Sequence, residues 1–303
     1  MTVVVTGASG FIGTQVTQAL LARGERVVGL DRVPPTVAGD GFETLHVDLA
    51  APHAEAFDAL RAADAVVHLA ARPGVRDCSP RIELRRHMDN VVATAQVLAA
   101  VPLPVPVVVA SSSSVYGGSR RGRPSREDDR LRPRGGYARS KVAAEQRCAA
   151  RAAAGGAVTV VRPFTVVGDG QRADMALARW IVDARAGRPL VVYGGLARRR
   201  DLTDVRDVVR AVLALLDRGA RTTVNVGSGV GHSLAEIAAA VGDVVAPVTV
   251  EVVPLPVSEP DETLADTRRG AATFGFVPTT DVLDVVRRAA SSAGDAEHLR
   301  LVS

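Results

Sequence analysis

Thr2-Val3-Val4-Val5-Thr6-Gly7-Ala8-Ser9-Gly10-Phe11-Ile12-Gly13 is the stretch on which the fold turns. Residues 2–6 are short, β-branched and end at glycine, which reads as a buried parallel strand. Phe11, Ile12, Val16 and Leu20 then recur at helical spacing. The run Gly7-x-x-Gly10-x-x-Gly13 therefore falls at a strand-to-helix turn. Glycines there let the backbone approach a pyrophosphate, and the helix N-terminus supplies N–H groups and a positive dipole end. A glycine-rich turn with no ligand would have the same spelling, so the next strand matters. It runs from Arg26 to Leu30 and ends in Asp31, at the distance where an acidic residue accepts hydrogen bonds from the adenosine ribose. Asp31 favours NAD, because a 2′-phosphate would meet its charge; Arg32 beside it leaves room for NADP.

The same alternation continues. A third strand, Glu43 to Val47, ends at Asp48-Leu49, where Asp48 either caps a turn or touches the adenine. A fourth, residues 65–69, leads into Ala70 and Ala71, small enough to let the backbone pass a flat ligand. His68 reads as a buried strand-end histidine rather than a catalyst. Pro80 precedes a long helix, Arg81 to Ala100. A fifth strand, Val105 to Ala110, runs directly into Ser111-Ser112-Ser113-Ser114-Val115-Tyr116-Gly117. Linkers do not usually follow a buried apolar strand, and in an open parallel sheet ligands bind at the carboxyl ends of strands. Residues 118–136 read as a polar, arginine-rich surface loop or lid. A helix to about Ala154 and a sixth strand, Ala157 to Arg162, follow. Beyond Pro163 the pattern loosens: helices at Met175–Ala186, Val205–Leu216 and Leu234–Val241, and strands at Leu190–Tyr193 and Thr223–Val226.

In Tyr137-Ala138-Arg139-Ser140-Lys141 the tyrosine and lysine stand one helical turn apart on one face. A free tyrosine is a poor base at neutral pH, and an adjacent ammonium favours the phenolate, so the pair reads as a proton-transfer device. A solvated surface pair has the same spacing. The composition argues against that: Lys141 is the only lysine in the chain, every other Lys-or-Arg position being arginine. A compact point charge and a planar fork are not interchangeable in a tight site.

The 303 residues suffice for one large domain or two coupled ones, with a core of Val, Leu and Ala, since aromatics are only 3%. Cys78 and Cys148 form neither a metal spacing nor a disulfide framework, which suits a reducing, cytoplasmic setting. Residues 1–5 lack the marks of a signal peptide, and no apolar run is long enough for a bilayer, so no membrane partner is expected. The net charge of +4 comes from dispersed arginines without interleaved aromatics, which argues against nucleic acid and suits a small anionic substrate.

Taken jointly, these residues resemble the extended short-chain dehydrogenase/reductases, and within them the NAD-dependent nucleotide-sugar epimerase/dehydratase group. The markers are Gly7-x-x-Gly10-x-x-Gly13, Asp31, Asp48-Leu49, His68-Leu69-Ala70-Ala71, Asn90, Ser111 to Gly117 and Tyr137-x-x-x-Lys141. Arg162-Pro163-Phe164-Thr165, Arg200-Asp201 and Asn225-Val226-Gly227 complete the set, so the likeness runs nearly end to end. It implies an α/β fold, a Rossmann-type doubly wound parallel sheet with a smaller C-terminal α/β substrate domain. Residues 1–165 would be the NAD-binding domain, with 203–226 returning to it, and 166–303 mainly the substrate domain. A homodimer through the helices near 81–100 and 137–154 is implied as well. The cofactor set implied is Gly7, Gly10, Phe11, Ile12, Gly13, Asp31, Arg32, Asp48, Leu49, Leu69, Ala70, Ala71, Asn90, Tyr137 and Lys141.

By the same resemblance, Tyr137 is the base that removes a sugar hydroxyl proton, Lys141 lowers its pKa and holds the nicotinamide ribose, and Ser112 hydrogen-bonds the reacting oxygen. Arg76, Ser113, Ser114, Thr165, Arg172 and Arg200 are implied in substrate binding, Arg200 on the diphosphate. Dehydratases of the group carry an Asp-Glu pair where this chain has Ser113 and Ser114, and decarboxylating members also need an acid there. What remains is 4-epimerisation of a UDP-hexose or UDP-hexuronate through a transient 4-keto intermediate, or plain ketone reduction. The stretch from Arg162 to Ala176 looks like the UDP-glucuronate 4-epimerase branch, where Arg172 faces a uronate carboxylate or a phosphate. Val167, Leu202 and Asp204 depart from that branch, and Glu259, Asp261 and Glu262 put negative charge where members place a basic residue. The rivals are an NAD(P)H-dependent reductase of a keto-sugar or other natural-product intermediate, and a non-catalytic dinucleotide-sensing protein; the intact Ser112, Tyr137 and Lys141 set speaks against the latter.

Overall fold

The computed structural model describes residues 1–51, 53–74, 80–120, 122–256 and 259–301, with side chains to residue 292. The chain begins β1 (Thr2–Thr6), α1 (Phe11–Ala22), β2 (Arg26–Asp31), β3 (Phe42–His46), α2 (Ala54–Ala62) and β4 (Ala65–His68). Then come α3 (Pro80–Arg86), a π-helical turn (His87–Val92), α4 (Ala93–Ala100), β5 (Val107–Ala110), a 3-10 turn (Ser113–Tyr116), α5 (Gly135–Ala153) and β6 (Val158–Pro163). The remainder is β7 (Thr165–Val167), α6 (Ala176–Arg185), β8 (Leu190–Tyr193), β9 (Arg199–Asp204), α7 (Val205–Arg218), β10 (Thr223–Val226), β11 (Gly231–Ser233), α8 (Leu234–Val244), β12 (Val250–Val253), α9 (Arg268–Phe274) and α10 (Val282–Leu301).

Side chains alternate across a strand, and β1 has apolar residues on both sides. Val3 and Val5 pack with Val16 and Leu20 of α1 and with Val212 and Leu215 of α7. Val4 joins Leu60 of α2, Val97 of α4 and Cys148 of α5 on the other face. Helices thus cover both faces of a seven-stranded parallel sheet, ordered β10-β6-β5-β4-β1-β2-β3. This is the Rossmann-type doubly wound α/β fold. Strands wind outward in opposite directions from β1 and β4, so a crevice opens at their carboxyl ends. Truncating a fully buried leucine such as Leu20 to alanine would cost about 2–5 kcal/mol.

Two small sheets stand apart from the large one: β11-β9-β7, and the parallel pair β12-β8. Trp180 and Ile181 of α6, Val192 of β8, Ile237 and Val241 of α8 and Val285 of α10 share a separate core. A capping box at Ser233 and Glu236 starts α8, which satisfies two otherwise orphan N–H groups.

Several local expectations need correction. The helix expected over 81–100 is interrupted by the π-helical turn. Strands β7, β9, β11 and β12 and helices α2, α9 and α10 carried too little periodicity to be read. Of the two readings left open for residues 118–136, surface loop or lid, the described residues accord with the loop, which is tied down on one side. Ser119 N–H donates to Glu262 O at 2.8 Å and Ser125 N–H to Leu264 O at 2.8 Å, while Asp266 N–H returns to Ser125 O at 3.0 Å.

Candidate active site

The ends of the central strands open onto a cleft of about 540 Å³ lined by Gly7, Gly10, Phe11, Ile12, Gly13, Asp31, Arg32, Asp48, Leu49, Leu69, Ala70, Ala71, Ser112, Tyr137 and Lys141. Gly7 has φ 71°, and a Cβ there would strike the Leu69–Ala70 backbone; a Cβ on Gly13 would run into Gly7 O. No side chain caps α1, so its first N–H groups are left to an anionic ligand. Asp31 is oriented by the backbone: Ser9 N–H donates to Oδ2 at 2.9 Å and Val33 N–H to Oδ1 at 3.1 Å. A glycine cradle, an uncapped helix end and a fixed carboxylate fit the pyrophosphate and adenosine ribose of a dinucleotide. Asp48 accepts Ala50 N–H at 2.9 Å, which is the turn-capping role, and it also lines the cleft. His68 is buried between the Thr6 hydroxyl at 2.7 Å and the Thr94 hydroxyl at 2.9 Å. Burial, and then the Lys141 charge, push its pKa down to about 3, so it stays neutral.

Tyr137 and Lys141 stand on α5, with Ser112 at the N-cap of the 3-10 turn opposite. The electrostatics differ from the simple pairing expected. Lys141 Nζ donates to Ala110 O at 2.8 Å, and burial pulls its pKa down to about 8 against smaller opposing effects of Cys148 and Glu145. Burial pushes the Tyr137 phenol up; the Ser112 hydroxyl, then Arg172 and Arg86, draw it back. The groups that favour the phenolate are thus Ser112 and two arginines. Behind them, Glu145 accepts the Ser111 hydroxyl at 2.5 Å and is clamped by Arg162, Nε at 2.9 Å and Nη2 at 2.6 Å.

A second cavity, about 680 Å³, adjoins the cleft and shares Arg72, Ser112, Thr165 and Arg172 with it. Ser113, Ser114 and Arg200 line it as well. The Ser114 hydroxyl is buried with no hydrogen-bond partner. Arg172 forks onto Asp174 at 2.9 and 3.0 Å. Arg200 Nη2 donates to Glu259 at 3.1 Å, so the acidic segment flagged in the sequence meets arginine here. Arg76 lies outside the described residues. Asn90, expected on the cofactor, lines neither cavity. It is fully buried and spends its amide on Arg72 N–H (2.6 Å), Arg72 O (3.2 Å) and the Ser140 hydroxyl (2.8 Å).

Sequence reasoning missed Arg72, Asp89 and Trp180, which line these spaces. Arg72 follows the Ala70-Ala71 marker directly, and Asp89 precedes Asn90; those adjacencies were the available signals. Trp180 is the sole tryptophan.

Residues 3–227 match the family model described as NAD dependent epimerase/dehydratase family. The chain belongs to that family. Among curated relatives, UDP-glucuronate 4-epimerase 1 of Arabidopsis thaliana is 35% identical over 250 residues, covering 76% of this chain and 57% of the plant protein, so the chain spans little over half of that relative's length. Among solved structures, MoeE5 in complex with UDP-glucuronic acid and NAD is 34% identical with a TM-score of 0.90, covering 98% of this chain and 100% of its own. UDP-glucuronic acid 4-epimerase from Bacillus cereus, in complex with UDP-glucuronic acid and NAD, is 27% identical with a TM-score of 0.90 over 98% and 100% of the two chains. Among the described residues, no helix of this family member is long and apolar enough to cross a membrane.

Proposed function

We propose that this family member is an NAD-dependent 4-epimerase of a UDP-hexose or UDP-hexuronate, with UDP-glucuronate the first substrate to test. The observation that carries the reading is that Ser112, Tyr137 and Lys141 line one cleft, and that Ser112 also lines the adjoining arginine-lined cavity. NAD, when bound, supplies a hydride acceptor and returns the hydride. Tyr137 takes the proton from the sugar 4-hydroxyl as the ketone forms and gives it back on reduction. Ser112 holds the reacting oxygen, and Lys141 supplies a nearby positive charge. The ketone turns within the cavity before reduction, which inverts the carbon.

Gly7, Gly10, Phe11, Ile12 and Gly13 would hold the pyrophosphate, Asp31 the ribose, and Asp48, Leu49, Leu69, Ala70 and Ala71 the walls around the adenosine and nicotinamide. Arg172 and Arg200 would meet the substrate's anionic groups, with Thr165, Ser113 and Ser114 against the sugar. Ser113 and Ser114, in place of an acid pair, weigh against elimination of water. The domain reading, 1–165 with 203–226 and then 166–303, is supported by β10 joining the large sheet and by the separate core around Trp180. A homodimer through the helices near 81–100 and 137–154 accords with Leu84, 67% exposed on α3, and a cytoplasmic setting with the buried free thiol of Cys148.

Incubation with UDP-glucuronate or UDP-glucose and no added NADH, followed by NMR of the sugar, tests the reading. Inversion at C4 without net cofactor change is expected. Turnover only with stoichiometric NAD(P)H consumption would replace it with the reductase reading.

A further inference from the structure

The π-helical turn His87–Val92 places Asp89 against the cofactor cleft, and such turns recur at functional sites. Asp89 is 7% exposed and takes two arginines. Arg32, next to the ribose-binding Asp31, meets it fork to fork: Nη1 to Oδ1 at 3.1 Å and Nη2 to Oδ2 at 3.0 Å. Arg32 Nη1 also reaches Asp48 Oδ2 at 3.4 Å, and Arg72 Nε donates to Asp89 Oδ2 at 2.6 Å. Burial alone would raise the Asp89 pKa, but hydrogen bonds and charge from Arg32 and Arg72 hold it below the ordinary carboxylate value.

An arginine near the acidic residue at the end of the second strand is the side chain that accommodates a 2′-phosphate in dinucleotide folds. Arg32 stands in that neighbourhood, yet its planar fork is occupied, and bidentate pairing to a carboxylate is the strong form of such contacts. The corner is also acidic on balance. Asp31, Asp48 and Asp89 stand against Arg32 and Arg72, three formal negative charges against two positive.

We propose that Asp89 is a specificity-determining residue that makes the cleft select NAD over NADP, by occupying and neutralising Arg32. The inference rests on the reading of the cleft as a dinucleotide site, and it names a device outside the glycine turn and Asp31. Asp31 sets the preference for a free 2′-hydroxyl. Asp89 withdraws the neighbouring cation that would offset it. Asn90 keeps hold of the Arg72 backbone whatever stands at 89, so the Arg72 segment remains anchored when Asp89 changes.

The test is calorimetric titration of cofactor-stripped full-length protein with NAD+ and NADP+, with melting curves to check folding. Asp89→Asn removes one negative charge and releases the Arg32 fork. The ratio of the two dissociation constants should move toward NADP+ by about tenfold or more, the scale of one charge-assisted contact. Asp89→Asn combined with Arg32→Ala should lose that gain. Arg32→Ala alone should leave the weak NADP+ affinity within about twofold, because the guanidinium is already engaged, and this arm stands even if Asp89→Asn fails to fold. An unchanged ratio in Asp89→Asn, or a gain that survives in the double variant, overturns the proposal; so does a loss of NADP+ affinity above about fivefold in Arg32→Ala. Failure of the native protein to bind either dinucleotide would instead remove the cofactor reading beneath it.

Discussion

The cofactor cleft is lined by short sequence runs at strand ends: residues 7–13, 30–33, 47–49 and 69–73. The adjoining cavity, the proposed substrate site, takes Arg72, Arg134, Arg172, Arg179, Arg198 and Arg200 from segments scattered across the chain. The first is a backbone device. Its glycines, helix end and strand-end carboxylate are fixed by local geometry, with few side-chain choices. The second is a side-chain device, whose arginines find carboxylates nearby: Arg172 with Asp174, Arg200 with Glu259. A backbone site leaves little to vary, whereas paired arginines can exchange a protein carboxylate for a ligand's anionic group at modest cost, which suits variation in the substrate.

The comparison breaks most sharply where the two spaces meet. Tyr137→Phe should lower kcat by about 10²–10⁴-fold, the range of a lost general base, while calorimetry finds dinucleotide and nucleotide-sugar affinities nearly unchanged. If both affinities fell with it, the phenol would be a wall of the site rather than its base.

Lys141→Met separates activity from stability. Burial pulls the Lys141 pKa down to about 8, a cost of about 3 kcal/mol before the lost Ala110 contact is set against it. A lysine depressed in the folded state binds fewer protons there than when unfolded, so its burial penalty is full below pH 8 and fades as pH climbs to 10.5. Lys141→Met should therefore lose activity yet resist urea better at pH 7, by about 1–3 kcal/mol, with the advantage shrinking by pH 10.5.

On the substrate side, Arg200→Ala should weaken nucleotide-sugar binding by about 10- to 100-fold and leave NAD+ binding alone. Glu259→Gln should tighten it a few-fold by removing the competing carboxylate. Equal losses in both ligands would show that the two regions are one coupled unit.

The smallest effect sharpens how the regions are joined. Gln15 of α1 reaches Asp169 O at 3.4 Å, and Arg288 of α10 holds the Asp169 carboxylate at 2.8 Å and the buried Asp204 at 2.5 Å. These contacts anchor the loop that carries Arg172. Arg288→Ala should raise the sugar KM several-fold with kcat nearly kept, read by steady-state kinetics.

Legibility followed the same division. The large sheet was readable because Val3 to Val5, Ala65 to Val67 and Val107 to Ala110 are continuous apolar runs followed within a few residues by glycine or small residues. The cleft-lining glycines and Asp31 were readable because local backbone geometry demands them at fixed offsets. The small sheets were not, because β9 (Arg199–Asp204) spells a charged sequence whose buried Asp201 relies mainly on distant donors at Ser228, Gly229 and Ala265. The Asp89–Arg32 pair bridges 57 positions, and no local pattern announces it.

A chain that spells nearly all its basic side chains as arginine offers an acylating reagent, besides an α-amine, one side-chain amine in these 303 residues, that at position 141. The latter sits on the cleft wall and sheds its proton far more readily than a free lysine. Mild acetylation followed by mass spectrometry would thus footprint the cleft at a single internal residue, and protection by added dinucleotide would measure occupancy without any turnover assay.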